Sequence, residues 1–177
     1  MKNLLFILLL VAAVLNVKAQ EYVPSDGGSE VKFSIKNFGL NVTGSFKGLK
    51  GAIKFLPGNP AASSINVTVD AATVNTGNNA RDKHLVKEEY FDAASYPTLK
   101  FVSVNITGKD GGYTVEGNLT IKGVTKRISF PFTATAITNG YQLQGQFKLN
   151  RKDFKVGGNS WVLSDGLTVS LNIAALK

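Results

Sequence analysis

The sequence predicts an all-β protein of antiparallel strands with one helical interruption. Three observations predict it. Through most of residues 31–173 apolar side chains fall at every second position, the period of a strand with one buried face. Short turns rich in Gly, Asn and Asp separate these runs. Only the stretch from Arg81 to Phe101, RDKHLVKEEYFDAASYPTLKF, breaks the period, with Leu85, Val86, Tyr90 and Phe91 at mixed spacings.

The first nineteen residues read as a secretory leader rather than as part of the fold. Lys2 supplies the positive end, Leu4 to Leu15 is an apolar run short for a bilayer span, and Val17-Lys18-Ala19 leaves small residues at the cleavage-determining positions. Cleavage after Ala19 is expected, giving a product that begins at Gln20 and is periplasmic or secreted. Residues 20–177 then form one domain. Lys2 and Lys18 leave with the leader, so 18 of the 20 basic side chains remain against 12 acidic ones. That mild positive balance has no basic cluster with interleaved aromatics, which argues against nucleic acid, and it suits anionic lipid surfaces. The chain has no cysteine, so disulfides, thiolate metal sites and thiol nucleophiles are all excluded.

In chain order, Val31, Phe33 and Ile35 open the first alternating run, and Val42, Gly44, Phe46, Ile53 and Phe55 form the second, with Gly48 and Gly51 as bends. Pro57-Gly58-Asn59-Pro60 is a turn, followed by Ile65, Val67 and Val69. Asn78 and Asn79 can cap a helix, and Pro97 forbids its continuation, so one helical segment spans about Ala80 to Tyr96 and the next strand begins near Thr98. Charged on one side and apolar on the other, that segment is a candidate lid. Tyr113, Val115, Leu119 and Ile121, then Ile128, Phe130, Phe132, Ala134 and Ala136, alternate with polar residues. Asn139-Gly140 signals a tight hairpin into Tyr141, Leu143, Phe147 and Leu149; Leu167, Val169, Leu171 and Ile173 end the chain.

Eight or nine such strands, each with a polar face, exclude a parallel sheet. A closed antiparallel barrel or a two-sheet sandwich remains, the latter an adhesion or assembly module, and long strands favour closure. Four Asn-x-Thr triplets, at Asn41, Asn66, Asn105 and Asn118, match the glycosylation motif but also arise from strand alternation alone.

Little in the sequence suits catalysis. His84 is the only histidine, Gly-x-Ser-x-Gly and a phosphate-cradling Gly loop are missing, and Glu88, Glu89 and Asp92 sit on a charged, solvated stretch. A binding protein rather than an enzyme is expected, with no metal and no required cofactor. His84 has two readings: a hydrogen-bonded group where helix meets barrel, or, beside Arg81, a donor to an anionic or carbonyl head group. Trp161 and Tyr141 are expected in barrel packing. Inward by phase are Phe33, Ile35, Phe46, Val67, Val69, Val115, Leu119, Ile121, Phe130, Phe132, Leu143, Phe147, Val169 and Leu171. Whether they fill the interior or line a cavity is open: the Phe residues add bulk, while Gly44, Gly117, Gly145, Ala134 and Ala136 at the same phase leave room.

The chain resembles the YceI-like proteins, a polyisoprenoid-binding family of exported, lipocalin-like barrels. The resemblance rests on Ser29-x-Val31-x-Phe33; Val42-x-Gly44-x-Phe46-x-x-Leu49-x-Gly51; Arg81-Asp82-x-His84-Leu85 with Tyr90-Phe91-Asp92; Tyr96-Pro97-x-Leu99-x-Phe101-x-Ser103; Leu119-Thr120-Ile121-x-Gly123-Val124-Thr125-Lys126; Asn150-Arg151-x-Asp153-Phe154; and Ser164-Asp165. Lys87, Glu89-Tyr90 and Lys155 depart from the family pattern, all off the inward face. The resemblance implies an extended eight-stranded antiparallel barrel whose apolar cavity holds an isoprenoid-type or other long-chain amphiphile, an isoprenoid quinone among them. It implies the fourteen inward residues as cavity lining and Arg81, Asp82 and His84 as head-group candidates. A small hydrophobic lipid is thus the expected partner, with transient membrane-surface contact and a homodimer as further expectations.

Overall fold

Strand alternation becomes wall in eight strands, traced in a computed structural model that describes residues 20–177; the expected leader, residues 1–19, lies outside the described residues. They are β1 (Glu21–Asn37), β2 (Leu40–Lys54), β3 (Ser64–Asn75), β4 (Thr98–Lys109), β5 (Gly112–Ile121), β6 (Val124–Ile137), β7 (Gly140–Asn150) and β8 (Leu163–Leu176), with one α-helix, α1 (Asn79–Leu85), between β3 and β4. Each strand pairs antiparallel with the next, and β8 returns to β1. The barrel is closed, which rules out the sandwich and leaves no open sheet edge. The four Asn-x-Thr triplets fall on β2, β3, β4 and β5, and their central residues Val42, Val67 and Leu119 line the interior while Ile106 is fully buried. Alternation accounts for them.

The chain's turns sort to two ends. Turn 38–39, turn 122–123 and the connections 76–97 and 151–162 lie at one end, the mouth. The connection 55–63 and turns 110–111 and 138–139 lie at the other. Turn 38–39 is left-handed at both residues, Phe38 (φ 50) and Gly39 (φ 76). For a bulky residue that conformation costs roughly 1–2 kcal/mol, so Phe38 opposes the usual Asn, Asp or Gly preference there. At Asn139-Gly140 the left-handed residue is Asn139, and Gly140 already belongs to β7, where a Cβ would stand 1.9 Å from the Ala175 carbonyl oxygen.

The helical segment is shorter than the expected span of 80–96. Asn78 caps it, its side chain accepting from the Arg81 amide at 3.0 Å. Regular helix ends at Leu85, because the next carbonyls bond out of register: Phe91 N–H donates to the Leu85 oxygen and Ala93 N–H to the Val86 oxygen. Residues 87–96 are stacked turns that lead to β4 at Thr98, the strand start expected from Pro97. Leu85, Val86 and Phe91 pack on Phe46, Leu49, Val69 and Val74, and the Phe91 and Phe46 rings meet edge to face at 5.2 Å. This segment is a packed cover over one side of the mouth.

β1 begins ten residues before the alternation at Val31. A bulge between Ser25 and Glu30 interrupts its pairing with β8, and Ser29 Oγ accepts the Ala174 amide there at 2.8 Å. Asp26, in the same bulge, accepts the amides of Gly48 and Leu49 at 2.9 Å each. Those two N–H donors, chiefly Leu49, hold its carboxyl below the ordinary value, with help from Lys47 and Lys50.

Candidate functional site: a half-filled barrel

The interior divides in two. At the end away from the helix, Tyr22, Phe55, Tyr113, Phe132 and Tyr141 interlock. Phe55 reaches in from the connection after β2, and its ring centroid lies 5.1 Å from both Tyr113 and Tyr141, edge to face. Tyr22 meets Tyr141 at 5.4 Å, and Tyr113 stacks on Phe132 at 5.3 Å. Phe55 is only 2% exposed and Ile106 and Ala175 are fully buried. Burial first, and then the neighbouring Tyr22 and Tyr113 hydroxyls, raise the Tyr141 phenol above its ordinary value. This end is sealed.

Above the seal the barrel is open. A cavity of about 640 Å³ runs from Ile53, Val115, Phe132 and Leu143 to Phe38, Arg81, His84 and Val162 at the mouth. All fourteen residues singled out by phase border it. Phe132 does so only as the roof of the sealed cluster. Inward residues of this half, among them Phe33, Ile35, Leu119, Phe147, Val169 and Leu171, are half-buried, because one side faces the lumen rather than another side chain.

The glycines at inward phase do not leave room in the way expected. A Cβ on Gly44 would stand 2.3 Å from the Phe33 ring, one on Gly117 2.4 Å from Phe101, and one on Gly145 3.3 Å from Phe130. Each glycine is the seat of a neighbouring strand's ring. Laid flat against the wall, Phe33 and Phe101 add area to the lining without occupying the axis. Phe130, further, stacks on Phe147 at 4.3 Å where the β6–β7 ladder has ended at the Phe132–Gly145 pair; Pro131, the next residue along β6, has no N–H to extend it. Ala134 packs against the sealed cluster and Ala136 is exposed.

At the mouth the three head-group candidates part company. Arg81 borders the cavity, donating from Nε to Thr76 Oγ1 at 2.7 Å and from Nη2 to the Thr76 carbonyl at 3.0 Å, and no carboxylate of the described residues pairs with it. His84 also borders the cavity, half-exposed, with Nε2 3.5 Å from Glu89 Oε2 and its ring edge-on to Tyr90. Asp82 stands off the cavity. Its Oδ1 accepts both the amide and the hydroxyl of Thr76, which fixes the entry to α1 and, through Thr76, the position of Arg81.

Two features escaped the sequence pattern. Arg151, 5% exposed, spends its donors between the connection 151–162 and the start of β8: Nη1 to the carbonyls of Val156 and Gly158, Nε to that of Ser164, and Nη2 to the carbonyl of Leu163 and to Asp165 Oδ1 at 2.9 Å. It is the buried post around which that loop is wound. The motif Asn150-Arg151 marked the position, but nothing in strand periodicity shows a loop folding over its own arginine. Trp161, expected in barrel packing, is instead fully exposed on this loop, and only Tyr141 of the pair packs.

Comparison with known proteins agrees with this architecture. The model of the YceI-like domain matches residues 22–175. A UPF0312 protein of Yersinia pestis is 34% identical over 156 residues, covering 83% of this chain and 80% of its own, and one of Yersinia enterocolitica is 31% identical over the same coverage. Among solved structures, BcnA of Burkholderia cenocepacia superposes with a TM-score of 0.78 at 27% identity, covering 83% of this chain and 96% of its own. A Campylobacter jejuni YCEI protein gives 0.70 at 30% identity, covering 78% and 86%. A polyisoprenoid binding domain from Saccharophagus degradans shares the fold, with a TM-score of 0.73 at 17% identity over 90% of this chain and 99% of that one.

Proposed function

Because the chain belongs to the YceI-like family, we propose that it is an exported carrier of a polyisoprenoid or other long-chain amphiphile, an isoprenoid quinone among the ligands that fit. The observation that supports this reading is the apolar cavity of about 640 Å³, closed at one end and open at the other. At about 30 Å³ for each water-sized group, it accommodates roughly twenty carbon centres. A one-ended apolar tube suits a tail that enters first and leaves its polar head at the mouth. The Saccharophagus degradans domain, named for polyisoprenoid binding, has the same fold. Leader cleavage after Ala19 and a periplasmic or secreted location complete the proposal, and the lipid is the only bound molecule it requires.

The energetics assign recognition to the tail. Burial contributes about 0.8 kcal/mol per methylene, so ten carbons contribute about 8 kcal/mol, against which association costs several. A partly exposed bond to Arg81 or His84 contributes about 1 kcal/mol. The test is organic extraction of protein purified from an exporting host, followed by mass spectrometry, with the intact mass read in the same run. Expected are a co-purifying long-chain amphiphile and a chain beginning at Gln20; reproducibly empty protein overturns the carrier reading. Phe132 sits in the seal, so a charge there tests folding; Val169→Asp tests the lumen. That variant should lose the lipid, whereas Arg81→Ala and His84→Ala should weaken retention by about 1 kcal/mol each. The reverse ranking would move recognition to the head group.

A further inference from the structure

The mouth carries an apolar rim that the barrel does not need. Phe38 is 74% exposed, Leu40 73% and Trp161 fully exposed, with Val162 beside them. They come from the β1–β2 hairpin and the connection before β8, held together, since Phe38 N–H donates to the Val162 carbonyl at 2.8 Å and Asn37 pairs with Leu163. Phe38 and Val162 also border the cavity, so the rim is continuous with its lining.

Two observations separate this rim from the scattered exposed apolar residues elsewhere, such as Val23 and Val104. Phe38 occupies a left-handed turn position where Asn or Gly is at ease, so the chain bears backbone strain to present an aromatic ring to solvent. Trp161 rides on a loop with a polar skeleton: Ser160 Oγ accepts the amides of Val162 and Leu163, and Arg151 fixes the Gly158, Leu163 and Ser164 carbonyls. The backbone that carries the indole is thereby held at the rim.

We infer that this rim docks on the surface of an anionic bilayer, with Trp161, Phe38 and Leu40 seated at head-group depth and the cavity mouth facing the leaflet. Trp prefers that interface because its ring is apolar and its N–H polar. Charge agrees with the occupant. Rim segments 36–42 and 156–164 contain Lys36 and no carboxylate, and the neighbouring Arg81 has no acidic partner among the described residues. No helix of the described residues is long and apolar enough to cross a membrane, so the contact is peripheral. The inference rests on the carrier reading for its purpose, delivery or collection of a tail without passage through water.

Trp161 is the only tryptophan, so its fluorescence reports the rim alone. The purified protein is titrated with vesicles of phosphatidylcholine and phosphatidylglycerol in equal parts, and with phosphatidylcholine alone. Expected are a blue shift with the anionic vesicles that weakens as salt rises, and quenching by lipids labelled near the head group more than by deep labels. Phe38→Asn should lower vesicle affinity about tenfold or more, the loss of one buried aromatic, while melting at or above the parent temperature, since Asn relieves the turn. Val104→Ser should bind as the parent does. An emission maximum unchanged at saturating lipid overturns the docking while leaving co-purified lipid, and hence the carrier reading, intact. Conversely, docking by a protein that extracts empty supports the rim and overturns the carrier. A blue shift without vesicles, rising with protein concentration alongside a doubled mass, assigns the rim to a second copy and overturns the inference.

Discussion

The two ends of the barrel use the same residue type to opposite effect. At the sealed end Phe55 and Phe132 face Tyr113, Tyr141 and each other across the axis, and the rings interlock. In the open half Phe33 and Phe101 face Gly44 and Gly117 on neighbouring strands and lie along the wall. An inward aromatic fills or lines according to what stands opposite it. Packing density, rather than hydrophobicity, therefore decides where the lumen begins.

Removing the central ring of the seal should have the largest effect. Phe55→Ala deletes a side chain that touches three other aromatics and should cost about 3–5 kcal/mol, read as a lowered urea midpoint. If the variant instead unfolds as the parent does, the seal is not what holds that end. Next comes the conversion of lining to filling. Gly44→Val drives a side chain into the Phe33 ring, costs about 1–3 kcal/mol through overpacking, and pushes the ring toward the axis. Its telling readout is lipid content after extraction, expected to fall more than that of a Val104→Ser control; full lipid content would mean that the wall has slack.

The smallest effect sharpens the comparison by pH. The Tyr141 phenol is raised in the folded state, so the stability it contributes is complete below the unfolded value of about 10 and is lost as pH rises through the higher folded value. Stability should decline over that alkaline window, and Tyr141→Phe should abolish that part of the decline. Ultraviolet titration should show one of the five tyrosines ionising late. Tyr141 belongs to the seal and does not border the cavity, so lipid release over the same window would contradict a seal that acts only at the far end.

Much of this was legible in the chain. Side chains alternate strictly along a strand, so inward phase could be counted from Val31 onward, and it named Val67, Leu119 and Val169 as wall without any knowledge of their neighbours. Asn78 marked the start of the helix and Pro97 the start of β4 for equally local reasons, a side-chain acceptor and a missing N–H. What failed was what depends on partners. Pro24, Gly27 and Gly28 spoil the alternation of early β1, and only pairing with β2 and β8 makes residues 21–30 a strand. The helix stops at Leu85 because Phe91 and Ala93 return to its last carbonyls.

The sequence by itself determined an antiparallel β protein with one apolar face per strand, since period and turn chemistry are written residue by residue. Only the tertiary structure decided that the sheet closes, that rings over glycines keep half the lumen open, that Arg151 winds a loop around itself, and that Trp161 points outward. Each of these depends on which residues from distant strands and loops meet, and periodicity carries no information about that.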